Sequence, residues 1–134
     1  MSVTEFTPTL DVDRNTQACK RLIERASQTG TDIVVLPEAA MYPPPGLHGA
    51  PTIAQDLDGQ FVTELSTTAR RTSVHVVAGM FRPGPDGKVF NTLVSIGHDG
   101  SLVGKYDKIH LYDAFTTRES DEVAPGPDSQ RCDP

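Results

Sequence analysis

Five consecutive residues constrain this chain most: Asp32-Ile33-Val34-Val35-Leu36, closed by Pro37. A strand with one wet face alternates apolar and polar residues. An unbroken apolar run suits a strand buried on both faces, as in the parallel sheets of α/β proteins. Parallel neighbours need crossover segments, usually helices, and the flanking sequence supplies them. Upstream, Ala18, Leu22 and Ala26 fall at i, i+4 and i+8 with Ile23 beside them, leaving Arg14, Lys20, Arg21 and Arg25 to face water. Asp11 or Asp13 can cap this helix, and Gly30 stands where a C-cap glycine belongs. Downstream, five prolines at 37, 43, 44, 45 and 51 impose a loop with room for one short helical turn. Phe61, Leu65 and Ala69 then mark a second amphipathic helix over 60–72.

The remainder reads as strands. Val74–Ala78 is rich in β-branched residues, Pro83-Gly84-Pro85-Asp86-Gly87 is turn chemistry, Val89–Ile96 is a strand, His98-Asp99-Gly100 a turn, and Leu102–Tyr106 a further strand. Turns this short predict an antiparallel meander. Residues 2–7 form a short first strand, with Val3 and Phe6 its only strongly apolar members. The expected order is β-α-β-α-β-β-β, an α/β fold with helices packed on a sheet. Beyond Leu111 the apolar pattern fades. From Glu119 to Pro134, Val123 and Ala124 are the only aliphatic residues, so this stretch reads as loop or disordered end. Residues 1–126 are therefore expected to form the domain and 127–134 a polar tail.

Composition excludes several classes. With 12 basic and 18 acidic residues the formal charge is −6, and no Lys/Arg cluster suits nucleic acid or an anionic membrane surface. No apolar run reaches spanning length, and the N-terminus lacks the pattern of a secretory signal. The expectation is a cytoplasmic protein with reduced thiols at Cys19 and Cys132. Hydrophobic residues at 37 % and aromatics at 6 % are lean for a self-sufficient domain of 134 residues. His48, His75, His98 and His110 lack metal-ligand spacing, so neither a metal nor another cofactor is expected. His75 alternates with valines and reads as a strand-face residue. His110 follows a site-type lysine and suits either the site or packing, and Tyr42 reads as a loop anchor.

Two charged residues stand where chemistry is placed in open α/β sheets, at the carboxyl ends of strands. Glu38 follows the buried strand and Pro37. A carboxylate half out of water there is suited to general-base work, although a glutamate near a helix start is the plainer reading. Lys108, in Lys105-Tyr106-Asp107-Lys108-Ile109-His110-Leu111, also ends a strand. Its ammonium is suited to steadying an oxyanion, although most lysines are simply exposed.

Taken together, Asp32-Ile33-Val34-Val35-Leu36-Pro37-Glu38 and residues 105–111 resemble the two upstream signatures of the nitrilase superfamily of carbon–nitrogen hydrolases. Scaffold pieces are similar in the same order: Val76-Val77-Ala78-Gly79, Phe90-Asn91-Thr92, Asp99-Gly100-Ser101-Leu102-Val103-Gly104, then Arg118-Glu119-Ser120 and Val123-Ala124-Pro125-Gly126. The resemblance runs from about Phe6 to Gly126. It implies part of an αββα sandwich and a Glu-Lys-Cys constellation that hydrolyses a small amide or nitrile. Glu38 then matches the base, Lys108 the oxyanion stabiliser, and Glu119 a second acidic residue lining the pocket.

The family's cysteine elbow has no counterpart. Cys132 lies in the polar tail with no strand leading into it, and Cys19 lies beside the apolar stripe of the first helix, a packing position. The resemblance therefore implies the N-terminal half of such an enzyme, ending before its nucleophile and inactive alone. The competing reading is a non-catalytic remnant, or a binding partner of an intact relative. A homo-oligomer is compatible with either.

Overall fold

The computed structural model describes residues 1–43, 49–114 and 117–127. Its elements are β1 (Ser2–Val3), α1 (Val12–Ser27), β2 (Ile33–Val35), α2 (Ala50–Ile53), α3 (Gln60–Thr72), β3 (His75–Pro83), β4 (Val89–Ile96), β5 (Leu102–Asp107), β6 (Asp113–Ala114) and β7 (Thr117–Arg118). The expected β-α-β-α-β-β-β order is present. The short helical turn allowed in the proline-rich loop is α2, and the small β6–β7 hairpin is additional.

The first five strands form one sheet in sequential order. β1, β2 and β3 run parallel, and β3, β4 and β5 form the antiparallel meander. β1 pairs over only two residues, with one further bond from Thr4 N to the Val35 carbonyl at 3.1 Å.

Asp11 caps α1 by accepting from the Arg14 amide at 3.0 Å. The stripe that α1 buries is Cys19, Ile23 and Ala26, one residue round from the spacing first read, and Ala18 and Leu22 flank it half-buried. The helix stops at Ser27. Gly30, with φ +73°, carries the turn that follows rather than the cap itself. Helix α3 covers the residues the periodicity marks and buries Phe61, Val62, Leu65, Thr68 and Ala69. Its first turn has no side-chain cap from Gly59; the Gln55 side-chain oxygen instead accepts from the Phe61 amide at 2.8 Å. Lys20–Glu64 and Arg71–Glu24 ion pairs tie the two helices together at their outer edges.

Both helices pack on one face of the sheet, against Val34, Val76, Ala78, Val94 and Ile96, all at most 2 % exposed. This is one helix layer on one sheet layer, half of an αββα sandwich. The other face has no layer over it among the described residues. The register places Val3, Val35 and Val77 in one row, and Leu93 and Tyr106 in the next beside Gly79. Val3 is 75 %, Leu93 43 % and Tyr106 41 % exposed. The run at 32–36 therefore buries Val34 fully but Ile33 and Val35 only partly. Its two-sided apolar character fits a sheet meant to be covered twice.

Where loop or a disordered end was expected from Glu119 onward, residues 119–121 form a single 3-10 turn and 122–127 a loop, part of which is fastened to the sheet. Val123 pairs with Val89, Ala124 N donates to the Val89 carbonyl at 2.8 Å, and both side chains are buried. Residues 128–134, Cys132 among them, and His48 lie outside the described residues. No described helix is long and apolar enough to cross a membrane.

Candidate active site

The sheet delivers charged groups from three distant segments to one end of its uncovered face. The first is Glu38. Leu36 N extends the β2 ladder by one bond to the Val77 carbonyl, 2.9 Å, and Pro37, which has no N–H, ends it. The chain turns through Ala40 N to the Pro37 carbonyl, 3.1 Å, and returns over β3, where Met41 N reaches the Gly79 carbonyl at 3.3 Å. Glu38 sits at the top of this turn with its side chain 67 % exposed.

The second is Lys108, the residue after β5. Side chains alternate across a strand, so Asp107 and Lys108 serve opposite faces. Asp107 is fully buried on the helix side, gripped by Arg82 at 3.0 and 2.7 Å, Lys105 at 2.6 Å and Thr92 at 2.7 Å. Burial would push its carboxyl up, but the bonds from Arg82, Lys105 and Thr92 outweigh it and hold it at about 2. Lys108 continues the Tyr106 side and points out over the uncovered face. Its backbone is fixed by Lys108 N to the Asn91 carbonyl at 2.8 Å and Gly126 N to the Lys108 carbonyl at 2.9 Å.

The third is Glu119, in a single helical turn after β7. It is 2 % exposed, and the Tyr112 amide donates to its Oε2 at 2.6 Å. Lys108 Nζ lies 3.2 Å from Glu38 Oε1 and 3.0 Å from Glu119 Oε2. The three residues singled out in the sequence thus meet, the Lys108 ammonium in direct contact with both glutamates.

A fourth residue joins them. Asn91, on β4 and 8 % exposed, donates from Nδ2 to Glu38 Oε1 at 2.9 Å and to Glu119 Oε1 at 3.1 Å. The sequence reading took it only as scaffold. The available signal was an asparagine inside a strand, a residue type depleted there.

Electrostatically, one ammonium serves two carboxylates. Partial burial would raise the Glu38 carboxyl, but the bonds from Asn91 and Lys108 outweigh it and leave it below the usual glutamate value. Desolvation works against the Lys108 ammonium, and the two glutamates more than compensate, so its pKa is raised. Glu38, Asn91, Leu93, Tyr106 and Lys108 line a concavity of about 180 Å³ that opens on the uncovered sheet face. A small polar molecule seated there meets a carboxylate and an ammonium on apolar walls.

The family model described as carbon-nitrogen hydrolase matches residues 3–132. The chain belongs to the carbon-nitrogen hydrolase family. It is 36 % identical over 119 residues to the omega-amidase of Homo sapiens, covering 85 % of this chain and 42 % of that one. It is 38 % identical over 120 residues to a hydrolase of Mycobacterium tuberculosis, covering 87 % and 41 %. The carbon-nitrogen hydrolase of Helicobacter pylori shares the fold, with a TM-score of 0.81 at 23 % identity over 93 % of this chain and 44 % of that one. The chain therefore spans less than half the length of these relatives.

In this carbon-nitrogen hydrolase chain, the only cysteine among the described residues is Cys19. It is fully buried on α1, its Sγ 3.9 Å from the Ala40 carbonyl, and burial pushes its thiol up to about 12. That is an inert packing thiol. His110 is exposed and makes no hydrogen bond to the site, His75 is an exposed strand residue in edge contact with His98, and Tyr42 is a buried loop anchor.

Proposed function

We propose that this chain carries the acid–base and oxyanion part of a carbon–nitrogen hydrolase site acting on a small amide or nitrile. The observation that carries the proposal is Lys108 Nζ held between Glu38 and Glu119 at the mouth of an apolar-walled concavity. Glu38 is the proton acceptor: both of its bonds fall on Oε1, and Oε2 makes none with a described residue. Lys108 is the cation that meets the negative charge developing on the attacked amide oxygen or nitrile nitrogen. Glu119 fixes the ammonium from the buried side.

The chemistry needs a thiol nucleophile on the open side of this concavity, and Cys19 is not placed to serve. With such a thiol present, Glu38 takes its proton. The sulfur adds to the carbon, and the anion forms beside Lys108. For an amide, collapse expels ammonia, which leaves with the proton returned from Glu38, and water then hydrolyses the thioester. The omega-amidase among the relatives makes small primary amides the first substrates to try.

The test is ammonia release from small primary amides and nitriles under reducing conditions. The purified chain is assayed alone and mixed with a separately expressed cysteine-bearing half of a family member. Turnover in the mixture that disappears with Glu38→Gln or Lys108→Met supports the proposal. Turnover that survives both substitutions overturns it. A second reading, a non-catalytic partner, draws on the exposed Leu93 and Tyr106 beside the concavity; it predicts a tight complex with an intact relative and no ammonia from this chain's site.

A further inference from the structure

We infer that Asn91 is the positioning residue that divides the work between the two glutamates, holding each carboxylate by one N–H of a single amide. This deepens the hydrolase reading and rests on it for its meaning, but its test needs no turnover.

The argument begins with the inventory of bonds. A side-chain amide has two N–H donors and one carbonyl acceptor. Carboxylates are acceptors only, so an amide with carboxylates on one side must turn its nitrogen toward them. Asn91 Nδ2 does so, 2.9 Å from Glu38 Oε1 and 3.1 Å from Glu119 Oε1. Its main chain contributes as well, the carbonyl accepting from Lys108 N at 2.8 Å. One strand residue therefore touches both carboxylates of the cluster and fixes the backbone of its lysine.

The two glutamates are held unequally. Glu119 has both oxygens engaged: Oε1 by Asn91 and by Lys108 at 3.3 Å, Oε2 by Lys108 at 3.0 Å and by the Tyr112 amide at 2.6 Å. Glu38 has Oε1 engaged by Asn91 and Lys108, while its side chain stands 67 % exposed. A carboxylate tied at one oxygen can present the other to a proton donor in a fixed direction. One tied at both serves as a counter-ion. Asn91 is the group that keeps Glu38 in the first state, because Lys108 alone is a long chain whose ammonium Glu119 already claims. The other carboxylate on these strands, Asp107, is turned to the opposite face and bound by Arg82 and Lys105. It does not compete for the amide.

Asparagine is an unlikely choice for packing alone. It is disfavoured in strands, and its amide must find partners when buried. Both requirements are met here by the same two bonds.

The test is a carboxyl titration by NMR on the isotope-labelled full chain. In the unaltered protein, the two Asn91 side-chain N–H resonances are expected to move with pH along the same midpoint as the Glu38 carboxyl carbon. In Asn91→Leu, which removes both donors at similar volume, the Glu38 midpoint is expected to rise by about half a pH unit or more. The Lys108 amide should stay protected from exchange, because its bond is to backbone. Asn91→Asp should move the midpoint further in the same direction. Side-chain N–H resonances that stay flat through the Glu38 titration overturn the inference without any variant, and so does an unshifted midpoint in a folded Asn91→Leu. Failure of the ammonia assay with these titrations intact would instead count against the hydrolase reading.

Discussion

Gly79 lies directly beneath the backbone of Glu38: a Cβ placed on residue 79 would stand 1.6 Å from the Glu38 carbonyl oxygen. The contact is backbone against backbone, so no rotamer change can relieve it. Even an alanine must lift the 37–41 turn off β3 and break the Met41 N to Gly79 carbonyl bond. Gly79→Ala is expected to cost about 2 kcal/mol or more in denaturant unfolding. It should also release Glu38 from Lys108, seen as a Glu38 titration returning toward that of a free glutamate. Unchanged stability and titration would show that the turn has slack here.

Asp107 gives the fold a specific acid sensitivity. Its folded pKa of about 2 lies below the ordinary 3.8. A lowered carboxyl stabilises the fold fully above its unfolded pKa and loses that contribution as pH falls through the folded value. The window is thus from about pH 4 down to about pH 2, and the difference is on the order of 2 kcal/mol for this fully buried group. Asp107→Asn should remove most of the slope in that window. At neutral pH it should destabilise by on the order of 3 kcal/mol, because Arg82 and Lys105 lose their shared partner. Urea unfolding at neutral and acid pH measures both effects, and parallel pH curves for the two proteins would refute the assignment.

The legibility of the molecule was uneven for physical reasons. Periodicity located α3 and β4 because burial on one face writes a repeat into the sequence. It misplaced the α1 stripe by one residue because Cys19, a small apolar group, carries the centre of the contact that Ala18 flanks. The full burial expected of residues 32–36 failed on one side because Val35 faces the uncovered surface, and no local pattern reports whether a second layer is present. Glu38 and Lys108 stood out by their positions at strand ends, but they lie 70 residues apart in the chain and their meeting depends on the topology between them. Asn91 and Gly79 were not picked out as site residues, Asn91 despite being an asparagine within a strand. One acts through hydrogen bonds, the other by having no side chain, and neither leaves a charge pattern to read.

Cys19 should behave as a buried packing thiol. Burial raises its pKa from 9.0 to about 12, giving about a thousandfold less thiolate than an ordinary thiol at the same pH. Its side chain is also closed to solvent between α1 and the Ala40 carbonyl. Mass spectrometry of the Cys19 peptide after a brief iodoacetamide pulse should show almost no label in the folded protein and full label in urea. Rapid labelling without denaturant would mean that α1 detaches readily from the sheet.

The uncovered sheet face should dominate the solution behaviour of this chain. Leu93 and Tyr106 are cross-strand neighbours, each more than two-fifths exposed, in the row beside the half-buried Val35 and Val77. An apolar sheet surface of this kind is a site of association. These two side chains are only partly exposed, but a lysine at either position can keep its methylene stem on the sheet and its ammonium in water. Leu93→Lys with Tyr106→Lys is therefore expected to shift stability by no more than about 1 kcal/mol. The same pair should lower the fluorescence of an apolar dye and reduce concentration-dependent association in sedimentation velocity. If dye binding and sedimentation stay as they were while the fold persists, association runs through another surface. In that case the layer implied by the two-sided apolar character of Asp32–Leu36 does not dock across β4 and β5.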